Sequence, residues 1–202
     1  FISSIKFLDS TYSIYNTHEI KNKLIETHLF SGDPDTALIL INNLFKSLTP
    51  DNKYFNDLME LRDFINHFYA RVDEEGKKSF LDFLKSESLL KQRKVFEANQ
   101  LLDHIKTNNT NEIISPLISL RKAIILKRLK RYDEALNQLN LLEGTMFSDR
   151  GIIMSGQIYE RFFEDSSKAV EFYLRIINNH SNSIFSEPIR YHLRKLKDNE
   201  KT

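Results

Sequence analysis

Apolar residues recur at helical spacing along almost the whole chain. Between Ser166 and Asn179 they fall at Ala169, Val170, Phe172, Tyr173, Ile176 and Ile177, one stripe of a 3.6-residue helix. No stretch sustains period-two alternation, so the pattern predicts no strand. Polar breaks divide the chain into short helices. Ser31-Gly32-Asp33-Pro34 ends one helix and opens the next, with Asp33 as N-cap and Pro34 in the first helical position. Thr49-Pro50-Asp51, Gly76, Asn108-Asn109-Thr110, Gly144 and Asp165-Ser166-Ser167 are further breaks. The pattern predicts helices near 2–15, 18–30, 34–47, 52–71, 76–91, 94–106, 113–128, 132–143, 149–163, 166–179 and 185–197.

Four of the predicted helices begin alike: Pro34-Asp35-Thr36-Ala37-Leu38, Val95-Phe96-Glu97-Ala98-Asn99, Tyr132-Asp133-Glu134-Ala135-Leu136 and Ser166-Ser167-Lys168-Ala169-Val170. Each alanine is followed one turn later by Ile41, Leu102, Leu139 or Tyr173. A small residue lets two helices of a hairpin approach closely, and the larger one fills the groove beside the contact. Ala135 and Ala169 are 34 residues apart, Ala98 and Ala135 are 37 apart, and Ala37 and Ala98 are 61 apart. The last interval leaves room for two short repeats or for one repeat with an irregular helix. Ala70 lies 33 residues after Ala37, but Gly76 falls where its helix would continue.

On these residues the chain resembles the tetratricopeptide repeat family, whose period is about 34 residues. The best-matching units are residues 116–147 and 150–183. In the second, Gly156 and Tyr159 reproduce the family's G-x-x-Y, and Ala169 and Tyr173 its A-x-x-x-F. In the first, Ala123 stands for the glycine and Leu126 for the tyrosine. The signature tryptophan and the proline that ends a repeat are absent, and residues 52–91 fit no repeat cleanly. Ser183 to Leu196 is similar to the closing helix of many bacterial arrays of this kind, often in envelope proteins that include outer-membrane assembly lipoproteins. Ile184, Phe185, Ile189, Leu193 and Leu196 would cover the last pair.

The resemblance implies an all-α fold: a right-handed superhelical solenoid of antiparallel helix pairs, about 11 helices, closed by a C-terminal capping helix. It would form one domain over 1–202, with first helix pairs in 1–50, irregular helices in 51–92, the best repeats in 93–183 and the cap in 184–202. The first helix of each pair would line a concave groove that holds a peptide or partner protein. Candidate partner-binding residues on that face are Asn22 and Glu26, then Arg121, Lys127 and Arg128, then Gln157 and Arg161. The envelope resemblance favours the bacterial periplasm, with the cytoplasm as the alternative. A start at Phe1 rather than Met is expected of a processed form or a fragment.

Composition narrows the chemistry. Twenty-nine Lys and Arg against 28 Asp and Glu leave a net charge of +1, so no global field draws in a polyanion. There is no cysteine, which excludes disulfides and Cys-ligated metals. His18, His28, His67, His104, His180 and His192 are scattered without metal-ligand spacing, and no nucleotide-binding or nucleophile motif is present. A non-enzymatic scaffold is therefore expected, without catalytic residues, metal or cofactor. Asp73-Glu74-Glu75 reads as favouring the N-terminal dipole of the helix near Gly76.

The alternative is an RNA- or polyanion-associated repeat. It would use Lys127-Arg128-Leu129-Lys130-Arg131 together with Arg190, Arg194, Lys195 and Lys197. Neither cluster interleaves exposed aromatics in the sequence, and cations at helix C-termini suit the dipole, so nucleic acid is disfavoured. Tyr12, Tyr15, Tyr54 and Phe55 have no evident place in a core stripe. Asn108-Asn109-Thr110 and Asn179-His180-Ser181 match the glycosylation sequon by chance in an Asn-rich chain.

Overall fold

The computed structural model describes residues 1–15, 17–108 and 112–199. Among the described residues there are eleven α-helices and no strand. They are α1 (Ile2–Tyr15), α2 (His18–Phe30), α3 (Pro34–Phe45), α4 (Phe55–Ile65), α5 (Glu74–Lys91), α6 (Val95–Asn108), α7 (Ser115–Arg128), α8 (Tyr132–Asn140), α9 (Ser148–Arg161), α10 (Ser166–Asn179) and α11 (Ser186–Asn199). A π-helical turn, Asn66–Ala70, follows α4. The chain divides into two compact units, residues 1–114 and 115–202. The sequon at Asn108-Asn109-Thr110 and the side chain of Lys197 lie outside what is described.

Local chemistry accounts for the ends. Asp33 caps α3 by accepting the Thr36 N–H at 3.1 Å, with Pro34 in the first turn. Asp73 caps α5 in the same way, accepting the Gly76 N–H at 2.8 Å. The helix thus begins at Glu74, and Glu74 and Glu75 occupy the first turn, where carboxylates suit the dipole. The predicted helix 52–71 is shorter and broken, because Asn52 forms a turn, accepting the Tyr54 N–H at 3.0 Å before α4 begins.

Four helix–helix junctions share one construction. Gly32, Arg93, Lys130 and Glu164 have φ of 89°, 63°, 60° and 55°, in the left-handed region that ends helices. Asp33, Lys94 and Arg131 then donate to the carbonyls of His28, Leu89 and Leu126, and Asp165 donates to that of Tyr159. In each junction the alanine of the sequence pattern follows five residues after the left-handed residue. Ala37, Ala98, Ala135 and Ala169 are all 0% exposed. Ala70, in contrast, is exposed at the end of the π turn and holds no helix crossing.

In the first unit α2 pairs with α3 and α5 with α6, while α5 also packs on α2. The Ser88 hydroxyl donates to the Phe30 carbonyl at 2.5 Å, and the Lys91 ammonium sits 3.3 Å from the centre of the Phe30 ring. Between the pairs α4 lies on α3 and feeds through the π turn into α5. The wide turn carries Phe68 into the core, with Phe64 at 5.0 Å and Phe80 at 6.3 Å between ring centres. The long 61-residue interval holds α4, the π turn and α5. α1 contacts α2 but buries no residue, leaving Phe7, Ile14 and Tyr15 exposed. Tyr12 and Tyr54 are half-buried beneath Lys21 and Lys53, and Phe55 meets Phe45 edge-on at 5.3 Å.

In the second unit α7 pairs with α8 and α9 with α10, α8 touches α9, and α11 lies on α10. Gly156 sits against the Tyr173 ring so closely that an added Cβ would lie 2.6 Å from its Cε1. Gly151 does the same toward α8, where a Cβ would meet the Leu139 carbonyl and Leu142 at 3.2 Å. Tyr159 stacks on Phe172 at 5.5 Å. Tyr173, Ile176, Ile189 and Leu193 form the core beneath α11, with Phe185 and Leu196 packed at its margin. Ile184, expected in that layer, is 79% exposed, because it precedes the helix in a turn.

Side-chain bonds within each unit repeat the sequence period. His18 with Asn52, Asp35 with Tyr69 and Asp149 with Ser183 are each 34 residues apart. Glu143 with Arg175 and Glu160 with His192 are each 32 apart.

Candidate interaction surface

The predicted face residues fall into three settings. In the first unit Asn22 and Glu26 are half-buried on α2. Glu26 accepts from the Lys23 ammonium at 2.8 Å, and that bond and charge hold Lys23 above its ordinary pKa. Glu26 is thus already neutralised within its own helix.

In the second unit, Lys127 and Arg128 end α7 and Arg161 ends α9. The first helices of two successive pairs so bring their C-terminal cations into one field, Lys127 and Arg161 being 34 residues apart. Burial, then Arg161, then Arg128 push the Lys127 ammonium below its ordinary pKa. None of the three pairs with a carboxylate among the described residues. Arg131, at the same turn, is different: its guanidinium binds Glu134 through two bonds of 2.5 Å. Arg121 and Gln157 are half-buried further up α7 and α9, outside that cationic end.

Next to Arg161, Glu160 forms a second network. Its carboxylate accepts from the Tyr173 hydroxyl at 2.6 Å and meets His192 Nε2 at 2.9 Å, joining α9, α10 and α11. Burial pushes the Glu160 carboxyl up, but Tyr173, His192 and Arg161 outweigh it and hold the group below the usual carboxylate range. Burial and the facing carboxylate push the Tyr173 phenol well above its ordinary value. His28 likewise binds the capping Asp33 at 3.1 Å, and His18 binds Asn52. These histidines hold elements together.

The aromatic neighbours correct one expectation. In the fold, the basic turn 127–131 does lie beside exposed aromatics. Tyr132 stacks on Phe162 at 4.3 Å and meets Phe163 edge-on at 6.1 Å, and Phe163 in turn leans on Tyr159 at 5.5 Å. Phe162 and Phe163 remain 44% and 39% exposed, and Leu129, in the same turn, 50%. Sequence reasoning missed this because Phe162-Phe163 lie thirty residues beyond Tyr132, where only the pairing of α7–α8 with α9–α10 joins them.

At the other end of that unit an open cleft of about 330 Å³ is lined by Thr145, Met146, Asp149, His180, Asn182 and Ser183. The Asp149 carboxylate there accepts from the Ser183 hydroxyl at 2.6 Å, tying the two turns together. On α11, Arg190 pairs with Glu187, while Arg194 and Lys195 are exposed. No group of three or more His, Asp or Glu suited to a metal ion occurs among the described residues. No described helix is long and apolar enough to cross a membrane. Compared with family models, curated proteins and solved structures, the chain matches none.

Proposed function

We propose that this chain is a non-enzymatic scaffold whose tetratricopeptide-like helix pairs stack as a right-handed solenoid and hold a segment of a partner protein along their first helices. Two features support the stacked array: the four alike junctions with their buried alanines, and side-chain bonds that recur at 32–34 residues. The observation that carries the function is the group Lys127, Arg128 and Arg161. Three cations share one field: Lys127 and Arg128 form no ion pair, Arg161 faces only the Glu160 carboxylate that Tyr173 and His192 already bind, and Lys127 is partly desolvated. Such an arrangement opposes folding and is relieved when an anionic group binds. The periplasm and the cytoplasm are both compatible with this role.

A polyanion is the second reading, favoured by the exposed Phe162 and Phe163 beside those cations. Affinity capture with the full chain, at low and high salt, separates the two. A discrete protein retained in high salt and lost from a Lys127→Ala/Arg128→Ala variant fits the scaffold. Nucleic acid that elutes steeply with salt overturns it.

A further inference from the structure

The exposed apolar residues of this surface and its cations lie in one patch, and the way the rings are packed narrows what can cover it. Tyr132, Phe162 and Phe163 make an apolar shelf beside the α7–α8 turn, in which Leu129 is also exposed. The rings already face one another: Tyr132 lies 17° from parallel on Phe162, and Phe163 is engaged by both Tyr132 and Tyr159. Tyr132 covers one face of Phe162, and Phe163 is fixed by two rings, so the cluster presents a rigid apolar rest for an aliphatic or aromatic side chain. The cations bordering the shelf are few. Glu134 removes Arg131 from the set, and Glu160 is bound to Tyr173 and His192. Lys127, Arg128, Lys130 and Arg161 are left, a short cluster that matches a few carboxylates better than a continuous phosphate backbone. The chain as a whole, at +1, adds no field for a polyanion.

We propose that this shelf is a docking surface for an acidic segment of a partner protein, a bulky aliphatic or aromatic residue resting on Leu129, Phe162 and Phe163 while adjacent Asp or Glu side chains meet Arg128, Arg161 and Lys127. The proposal rests on the scaffold reading and deepens it by naming the chemistry of the partner. The apolar anchor supplies the desolvated centre of the contact, and the cations at its rim select acidic sequences over basic ones.

A dodecapeptide display library panned on the full chain tests it, followed by fluorescence anisotropy with the recovered peptides and with a uridine oligomer. The expected result is enrichment of peptides with a bulky apolar residue beside Asp or Glu. Their affinity should fall at least about ten-fold in Arg128→Glu/Arg161→Glu and again in Phe162→Ser. It should stay unchanged in Glu60→Ala, at an exposed site of α4, and circular dichroism melts should show all variants folded. Enriched peptides that ignore the shelf variants would overturn the docking surface and leave the scaffold standing. No enriched peptide on any surface, or tighter binding of the uridine oligomer than of every peptide, would overturn both.

Discussion

Gly156→Ala probes the closest approach in the second unit. The added methyl would lie 2.6 Å from Tyr173 Cε1, 3.0 Å from Cδ1 and 3.1 Å from Cζ, where ordinary contacts begin at 3.4 Å. The ring cannot easily move aside. It is 1% exposed, packed among Ile152, Ile153, Ile176 and Ile189, and its hydroxyl is held by Glu160 at 2.6 Å. Overpacking of this kind costs about 1–3 kcal/mol, and displacing the hydroxyl about 0.5–1.5 kcal/mol more. Against this, alanine favours a helix interior over glycine by about 1 kcal/mol. The balance is a net destabilisation of about 1–3 kcal/mol. Urea unfolding followed by far-ultraviolet circular dichroism reads it as a lower midpoint at unchanged slope. The sign should reverse when the ring is removed: in a Tyr173→Leu background the same substitution should be neutral or stabilising by up to about 1 kcal/mol. If Gly156→Ala stabilised the wild-type chain, or cost as much without the ring as with it, the close-approach argument would fail.

Three further outcomes follow from the same packing. Ala135→Leu should cost about 1–3 kcal/mol by forcing α7 and α8 apart, while Ala70→Leu at an exposed site should change stability by less than about 0.5 kcal/mol; urea midpoints compare the two. Arg93→Gly and Glu164→Gly should each raise stability by about 0.5–1 kcal/mol, since left-handed backbone penalises a side chain more than glycine's extra unfolded freedom costs, and a valine at either site should lower the midpoint. Glu160→Gln should destabilise most at neutral pH. The folded carboxyl is held below its unfolded value, so its contribution is present above the usual carboxylate range and is lost as pH falls through the folded pKa. Equal wild-type-minus-variant differences near neutrality and in acid would contradict that assignment.

Much of the fold was legible in the chain. Stripe periodicity located every helix, and Asp33-Pro34 marked a start that the hydrogen bonds bear out, whereas α5 begins at Glu74, capped by Asp73, two residues before the expected Gly76. The four alanines marked the helix crossings because close approach demands a side chain no larger than methyl, a requirement written locally. Three of the four left-handed junction residues were not legible, since Arg93, Lys130 and Glu164 carry no glycine signal and adopt that backbone under the pull of the packed helices on either side. The break after α4 was hidden for a similar reason: the stripe through 52–71 is continuous, and Phe68 turns inward only because Phe64 and Phe80 leave a place for it.

For the candidate surface the division is sharper. Sequence placed Lys127, Arg128 and Arg161 on first helices, because a helix face follows from counting. It could not reveal that Glu26 is neutralised by Lys23, that Glu160 is held by Tyr173 and His192, or that Phe162 stacks on Tyr132. Those facts depend on rotamers and on contacts between elements up to 32 residues apart, and such contacts exist only once neighbouring hairpins have packed. Local sequence decides where helices begin and which face is apolar. Only the packed helices decide which charges find partners within the chain.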